Sequence, residues 1–384
     1  MTHGESALKS LSDSERLDWL QLARSENVGP VTFRKLLRHF GSAGKALAAL
    51  PDMARRGGAS RSPRICSKGD AERELERAAT FGCRMIGLSE PVYPAALRAA
   101  ESAPALLTVR GHIDVLSRPA VAIVGSRNAS VVGCKIARNL AAGVAGAGYA
   151  TVSGLARGID AAAHEATVET GTIAVMAGGL DRPYPPQNIE LLEAICENGQ
   201  SAAISEMPFG WEPRARDFPR RNRIIAGVGL GLVVVEAARK SGSLISARIA
   251  GELGRLVFAV PGSPLDPRAR GTNDLIRDGA ILTAEPDDLL EALAPLTGKD
   301  ARFNQPMPSL EEEAVPAIDA KPSEEIRTHI ATALGPAPAA VDDLVRHTGL
   351  PPSEVYMVLL ELDLAGRLTR HPGGSVSLLP PIGN

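Results

Sequence analysis

Between about residues 103 and 294 one pattern recurs: a short apolar run, a polar turn rich in Gly or Ser, then residues at helical spacing. The runs are Val121–Val124, Ala150–Val152, Thr172–Met176, Ala202–Ile204, Leu230–Val235 and Val257–Val260. Strands wet on one face alternate apolar and polar residues. These runs are continuous, so they predict strands buried on both faces of a parallel sheet, with the intervening helices as cover. Right-handed crossovers make such a sheet doubly wound, and the expected class is α/β.

The flanks read differently. Leu17, Leu20, Leu22 and Ala23 lie near helical spacing, Asn27-Val28-Gly29-Pro30 breaks the pattern, and Phe33, Leu36, Leu37 and Phe40 resume it before Gly41. Helix, Gly-containing turn and helix resemble a helix-hairpin-helix (SAM-like) module, whose hairpin amides can touch DNA phosphates; a plain helical cap is the other reading. Residues 53–70, rich in Arg, Gly and Ser, read as a mobile basic loop, and Leu88–Leu97 as a connector. Residues 296–322, with Glu311-Glu312-Glu313, have linker composition. Helices over Ile326–Leu334, Val341–His347 and Ser353–Leu364, then a hairpin over Arg367–Leu379, resemble a winged helix. Its third helix carries Glu354, Glu361 and Asp363 and no Lys or Arg, an unfavourable charge for reading a groove. The expected domains are 1–85 (helical), 86–295 (the sheet), a linker over 296–322, and 323–384 (winged-helix-like).

Composition narrows the partners. The formal net charge is −2, so a polyanion needs a local cationic patch. Aromatic residues are only 3%, which leaves few rings for stacking on bases. Cys66, Cys83, Cys134 and Cys196 and the seven histidines are scattered, so neither a disulfide framework nor a metal site is expected, and no cofactor. Met1–Ser14 is polar without an apolar leader, and no run has membrane-spanning length; a soluble, cytoplasmic protein is expected.

Ligands of an open parallel sheet sit beyond the carboxyl ends of its strands. The first run leads into Gly125-Ser126-Arg127-Asn128-Ala129-Ser130, where the following helix should aim free amides at an anion. The second leads into Ser153-Gly154-Leu155-Ala156-Arg157-Gly158-Ile159-Asp160, with Asp160 read as the cap of the next helix and His164 and Glu165 as structural. Gly178–Asn188 is turn-rich, and its Tyr184 could stack on a base. Arg214, Arg216, Arg220, Arg221 and Arg223 crowd together beside Phe218 and Asn222, ahead of an expected helix. Ser241-Gly242-Ser243 opens another helix, and Glu236 is a lone carboxylate placed to orient Arg or Asn side chains. Neither G-x-G-x-x-G nor G-x-x-x-x-G-K-[ST] occurs at these turns, so they suit phosphates but no standard nucleotide.

These stretches, completed by Pro261-Gly262 and Gly271-Thr272-Asn273 with Leu275-Ile276, run in the order of the DNA-processing protein A (DprA, or Smf) family, which the chain resembles over roughly residues 90–290. The resemblance implies a Rossmann-like fold and a non-enzymatic homodimer. It implies binding and protection of single-stranded DNA and help in loading RecA during natural transformation and recombination. Carried over residue by residue, it places phosphate contacts at Gly125, Ser126, Arg127, Ser153, Gly154, Arg157, Arg220, Arg221, Asn222, Arg223, Ser241 and Gly242, with Phe218 and Tyr184 as base contacts. The competing class is an enzyme, a nucleotide phosphoribohydrolase of the LOG (lysine-decarboxylase-like) type. That class needs a P-G-G-x-G-T loop followed by Glu, which is missing here. A scaffold whose turns hold only a small anion is a third class.

Overall fold

The computed structural model describes residues 8–297 and 322–379. Nearly all of the expected linker lies outside them. The chain forms two compact units. One contains the sheet; the other brings residues Leu11–Glu72 together with the C-terminal module.

Four helices lead the chain: α1 (Asp13–Arg24), α2 (Pro30–Phe40), α3 (Ala43–Arg56) and α4 (Lys68–Thr80). Ser12 and Glu15 cap α1 reciprocally; α2 starts at Pro30 and, as the sequence predicts, stops at Gly41, which is left-handed. The basic loop is pinned where mobility was expected. Arg61 donates to both Glu26 carboxylate oxygens at 3.0 and 2.6 Å, and the Arg64 amide donates to the same carboxylate at 2.9 Å.

The sheet unit follows: β1 (Cys83–Gly87), α5 (Ala95–Arg98), β2 (Leu106–Gly111), β3 (Ala120–Val124), α6 (Val131–Gly146), β4 (Ala150–Ser153), α7 (Ile159–Glu165), β5 (Thr172–Val175), α8 (Ile189–Glu197), β6 (Ala202–Ser205), α9 (Asp217–Val228), β7 (Gly231–Val234), α10 (Gly242–Glu252), β8 (Leu256–Ala259), α11 (Arg270–Arg277), β9 (Ile281–Leu282) and α12 (Pro286–Thr297). Strand order is β1-β2-β6-β5-β4-β3-β7-β8-β9. The six expected strands form its parallel centre, extended by β9. Beside them lie β1 and β2, on either side of the expected connector, where no strand is predicted. They pair antiparallel, Cys83 with Arg110 through Gly87 with Leu106, and β2 pairs antiparallel with β6. Every residue of β3, β4, β5, β6 and β7 is buried, consistent with helical cover on both faces.

The C-terminal module contains α13 (Glu324–Ala333), β10 (Ala339–Ala340), α14 (Val341–Thr348), α15 (Pro352–Leu364), β11 (Leu368–Arg370) and β12 (Ser375–Leu378). Three helices and a small sheet of order β10-β12-β11 make a winged helix around Ile330, Leu344, Val358, Leu359 and Val376.

Candidate nucleic-acid interface

The chain leaves β3 on one side for β4 and returns to β7 on the other, so the crevice of a doubly wound sheet should open between β3 and β7. Here it is filled from within. Glu236, just past β7, accepts the Ser130 amide at 2.9 Å and the Ser130 hydroxyl at 2.5 Å. Ser130 Oγ in turn accepts the Gly133 amide at 2.8 Å. A Cβ on Gly133 would lie 2.5 Å from the Glu236 carboxyl carbon, so the carboxylate fits only against glycine. The expectation of free α6 amides facing an anion is therefore corrected: an internal carboxylate already occupies the positive end of α6.

The open space lies further along, beyond β4 and β5. A cavity of about 280 Å³ is lined by Arg127, Gly154, Arg157, Tyr184, Phe218 and Arg221, with Met176, Gly178 and the Pro185-Pro186-Gln187 turn among its walls. Its floor is built from groups that satisfy one another. Ser153 is fully buried and its hydroxyl donates to the Ile123 carbonyl at 2.6 Å. The Gly154 amide donates to Asp160 at 3.1 Å, and the Ala156 amide reaches the same oxygen at 3.4 Å. Asp160 lies inside the first turn of α7 and reaches back to the loop; Gly158, not Asp160, is the capping residue. Gly158 has φ +77°, and a Cβ there would meet the Ser126 carbonyl at 2.4 Å, so the first two turns touch only because this residue is glycine.

Arg221 stands in that floor. It is 6% exposed, and its Nη1 donates to the Gly154 and Val175 carbonyls at 2.5 and 2.6 Å. Burial lowers its pKa to about 10, opposed by the nearby Asp160 carboxylate and reinforced by the Arg127 charge, so it remains a cation at neutral pH. Burial raises the Asp160 pKa, and Arg221 and the loop amides oppose that rise. A Cβ on Gly154 would sit 2.4 Å from Arg221 Nη1. Leu155 takes a left-handed φ of 54°, its carbonyl held by Asn188 Nδ2 at 2.8 Å.

The arginine cluster divides. Arg220, Arg221 and Arg223 lie within α9, where an approach ahead of the helix was expected. Successive residues step about 100° around a helix, so Arg220 and Arg223, three apart, share the side that meets Glu206 while Arg221 turns to the cavity floor. Arg223 is tied to Glu206 and the Ser102 carbonyl. Arg220, half exposed, lies 3.0 Å from the other oxygen of buried Glu206. Asn222 accepts from Arg221 Nε at 3.3 Å and reaches the Gly242 carbonyl at 3.5 Å. Ser241 caps α10 and shares a hydrogen bond with Ser243 at 2.7 Å, while Gly242 is exposed in the first turn. Gly125 packs against Ile159, and Ser126 Oγ accepts the Asn128 amide at 3.2 Å.

Free phosphate contact through Ser153, the Gly154 amide and Arg223 is thus corrected: each is committed inside the protein. Asn222, Ser241, Gly242 and Arg220 do not line the cavity. The outward cations are Arg127 and Arg157, joined by Arg214 and Arg216, and these four are exposed with no carboxylate partner among the described residues. Arg127 lies 5.3 Å from the Phe218 ring centre and Arg214 4.9 Å from that of Trp211. Tyr184 and Phe218 meet edge to face at 5.6 Å, and Tyr184 is 46% exposed. Sequence reading missed Trp211 and the turn it stabilises, in which buried Asp217 accepts from Trp211 Nε1 and the Arg214 amide, both at 2.9 Å. No group of three or more His, Cys, Asp or Glu among the described residues could hold a metal, and no helix among them is long and apolar enough to cross a membrane.

A Rossmann-like sheet with an unneutralised, ring-lined cavity at its carboxyl edge, carried with helix-hairpin-helix and winged-helix modules, defines a nucleic-acid-processing class. The family model for DNA recombination-mediator protein A matches residues 84–294, that for a DprA-like N-terminal HHH domain 13–77, and that for a DprA winged helix domain 313–374. Protein Smf of Escherichia coli is 38% identical over 301 residues, covering 77% of each chain. DNA processing protein DprA of Streptococcus pneumoniae is 44% identical over 207 residues, 53% of this chain and 72% of that one. The X-ray structure of DprA from Streptococcus pneumoniae aligns with a TM-score of 0.60 at 33% identity, over 74% of this chain and 98% of that one. The chain belongs to the DprA/Smf family of DNA-processing proteins.

Proposed function

We propose that this chain binds single-stranded DNA at the sheet edge, running phosphates past Arg127, Arg157, Arg214 and Arg216 and placing a base against Phe218 and Tyr184. The observation that carries this reading is the pair of exposed guanidiniums, Arg127 and Arg157, that line a ring-bearing cavity and have no carboxylate partner among the described residues. A guanidinium forks onto phosphate oxygens, and release of counterions from the strand drives the contact. A ring accepts any base on its face, so binding is tolerant of sequence. The nearby carboxylates, Asp160, Glu206 and Glu236, are all engaged with internal donors, which supports a binding role over a catalytic one.

Membership of a recombination-mediator family supports the wider role: protecting incoming strands and promoting RecA loading in transformation and recombination, as a cytoplasmic homodimer. The deciding experiment is oligothymidine binding across a salt series for wild type, Arg127→Ala and Arg73→Ala. Arg127→Ala should bind more weakly than wild type while exposed Arg73→Ala binds alike; equal binding by all three rejects the site.

A further inference from the structure

The winged helix and the N-terminal helices share one compact unit, and their contact has an unusual chemistry. Helix α15 is the helix that would enter a groove. Val355, Val358, Leu359 and Leu362 face its own module's core, while Leu360, Glu361 and Leu364 are buried too, so its last turns are apolar nearly all round and enclosed. Elements α2 and α3 pack on it. Glu361, 1% exposed, accepts Arg56 Nε at 2.6 Å and Arg327 Nε at 2.8 Å. Asp363 accepts the Thr32 hydroxyl at 2.8 Å and Arg370 Nε at 3.0 Å. Asn27, at the hairpin itself with φ 62°, donates from Nδ2 to the Leu364 carbonyl at 3.0 Å.

We propose that α15 is an acidic cover over the helix-hairpin-helix, which is a second nucleic-acid site, for the phosphate backbone of duplex DNA, held shut in this structure. Asn27 and Thr32, from the hairpin and the first turn of α2, and Arg56, from the end of α3, are donors on the face such a backbone would approach. Each meets an acceptor of α15: two carboxylates and a terminal carbonyl, at the helix end that carries partial negative charge. The helix has carboxylates and no Lys or Arg from Pro352 to Leu364, a poor composition for lying against DNA and a fitting one for imitating it. Helix α2, which packs on it, carries Arg34, Lys35 and Arg38 and no acidic residue. Lys35 Nζ lies 5.3 Å over the Tyr356 ring of the cover. The seat is close: a Cβ on Gly57 would stand 2.0 Å from the Glu361 carbonyl oxygen.

The test uses the full chain opened in two unrelated ways. Glu361→Gln with Asp363→Asn removes the negative charge at nearly constant shape; Gly57→Leu wedges the backbones apart. Amide hydrogen exchange over residues 355–364 reports opening, and a blunt duplex is the probe because a paired base cannot enter the sheet-edge cavity. Both variants should exchange faster in α15 and bind the duplex about tenfold more tightly. Adding Lys35→Ala and Arg38→Ala should abolish that gain. Oligothymidine affinity should stay at the wild-type level, since no sheet-edge residue is changed; a loss there would count against the sheet-edge reading instead. Faster exchange without tighter duplex binding overturns the proposal, as does unchanged exchange in the charge-removed variant. A gain that survives Lys35→Ala and Arg38→Ala overturns it as well. If Gly57→Leu fails to fold, the charge-removed variant decides alone.

Discussion

The floor and the rim of the sheet-edge cavity use the same residue types for opposite ends. On the floor, Arg221 has two carbonyls and a nearby carboxylate, and Ser153 and the Gly154 amide have partners of their own. On the rim, Arg127 and Arg157 have no carboxylate partner among the described residues, nor do exposed Arg214 and Arg216 just past the lining residue Pro213. A buried cation left alone would cost several kcal/mol, so the floor must be complete without a ligand. An exposed cation costs little in water and keeps its field for a visitor. The presence or absence of a built-in counter-ion separates residues that hold the fold from residues left open for the proposed strand.

The largest test breaks the floor. Asp160→Ala strips Arg221 of its carboxylate and frees the Gly154 and Ala156 amides. Leaving a buried donor unsatisfied costs about 1–3 kcal/mol, read as a lower urea midpoint at unchanged slope. Arg127→Ala should move that midpoint by no more than about 0.5 kcal/mol. Equal effects from the two would erase the distinction.

Acid attacks the same layer. His164 is fully buried, and its Nδ1 sits 2.7 Å from Thr172 Oγ1. Burial and the Arg221 charge hold its pKa down at about 3, against 6.5 unperturbed. A base with a depressed folded pKa contributes stability above its unfolded value and loses it as pH falls from about 6.5 toward 3. The slope from this one group is about 1.4 kcal/mol per pH unit in that window. His164→Phe should flatten urea midpoints between pH 7 and pH 5, approximate working values chosen to span its upper part; an unchanged slope would show that His164 charges freely.

How much of this was visible in one sequence follows from the range of the interactions. The six central parallel strands are local signals, continuous apolar runs such as Val121–Val124, and were legible; the parallel edge strand β9, only Ile281–Leu282, was too short to announce itself. The antiparallel strands β1 and β2 were not: Met85-Ile86 and Leu106-Leu107 neither alternate nor sit in the repeating pattern, and only the fold supplies their partners. The turns at the carboxyl edge of the sheet were legible, but not the layer of bonds beneath them. Ser130 and Glu236 are 106 residues apart, and nothing in either neighbourhood announces the other. Likewise the Arg cluster was plain, while its division into tied and free members depends on where α9 begins and on Glu206 below it. The acidic residues of α15, read as a mark against DNA contact, prove to be packing partners of Arg56, Arg327, Thr32 and Arg370.

Phe218 joins rim to floor, with Arg127 and Arg221 guanidiniums 5.3 and 6.0 Å from its ring centre. Phe218→Ala should weaken oligothymidine binding by about 1–3 kcal/mol if a base stacks there. Phe218→Tyr keeps the face and should bind near the wild-type level. Equal weakening by both would assign Phe218 to the support of Arg221, not to stacking.

The smallest expected effect is the sharpest, because it counts charges. If Arg157 meets one phosphate, Arg157→Ala removes one counterion-release event, and the slope of log affinity against log salt falls by about 0.7 for a single strand. The same substitution at Arg223, whose guanidinium is already tied to Glu206 and Ser102, should leave the slope unchanged and act on the unfolding midpoint instead. The two variants differ by one guanidinium each in composition, so bulk charge cannot explain a difference between their slopes. Equal slopes would mean that the strand does not distinguish free from paired arginines, and the rim would lose its special standing.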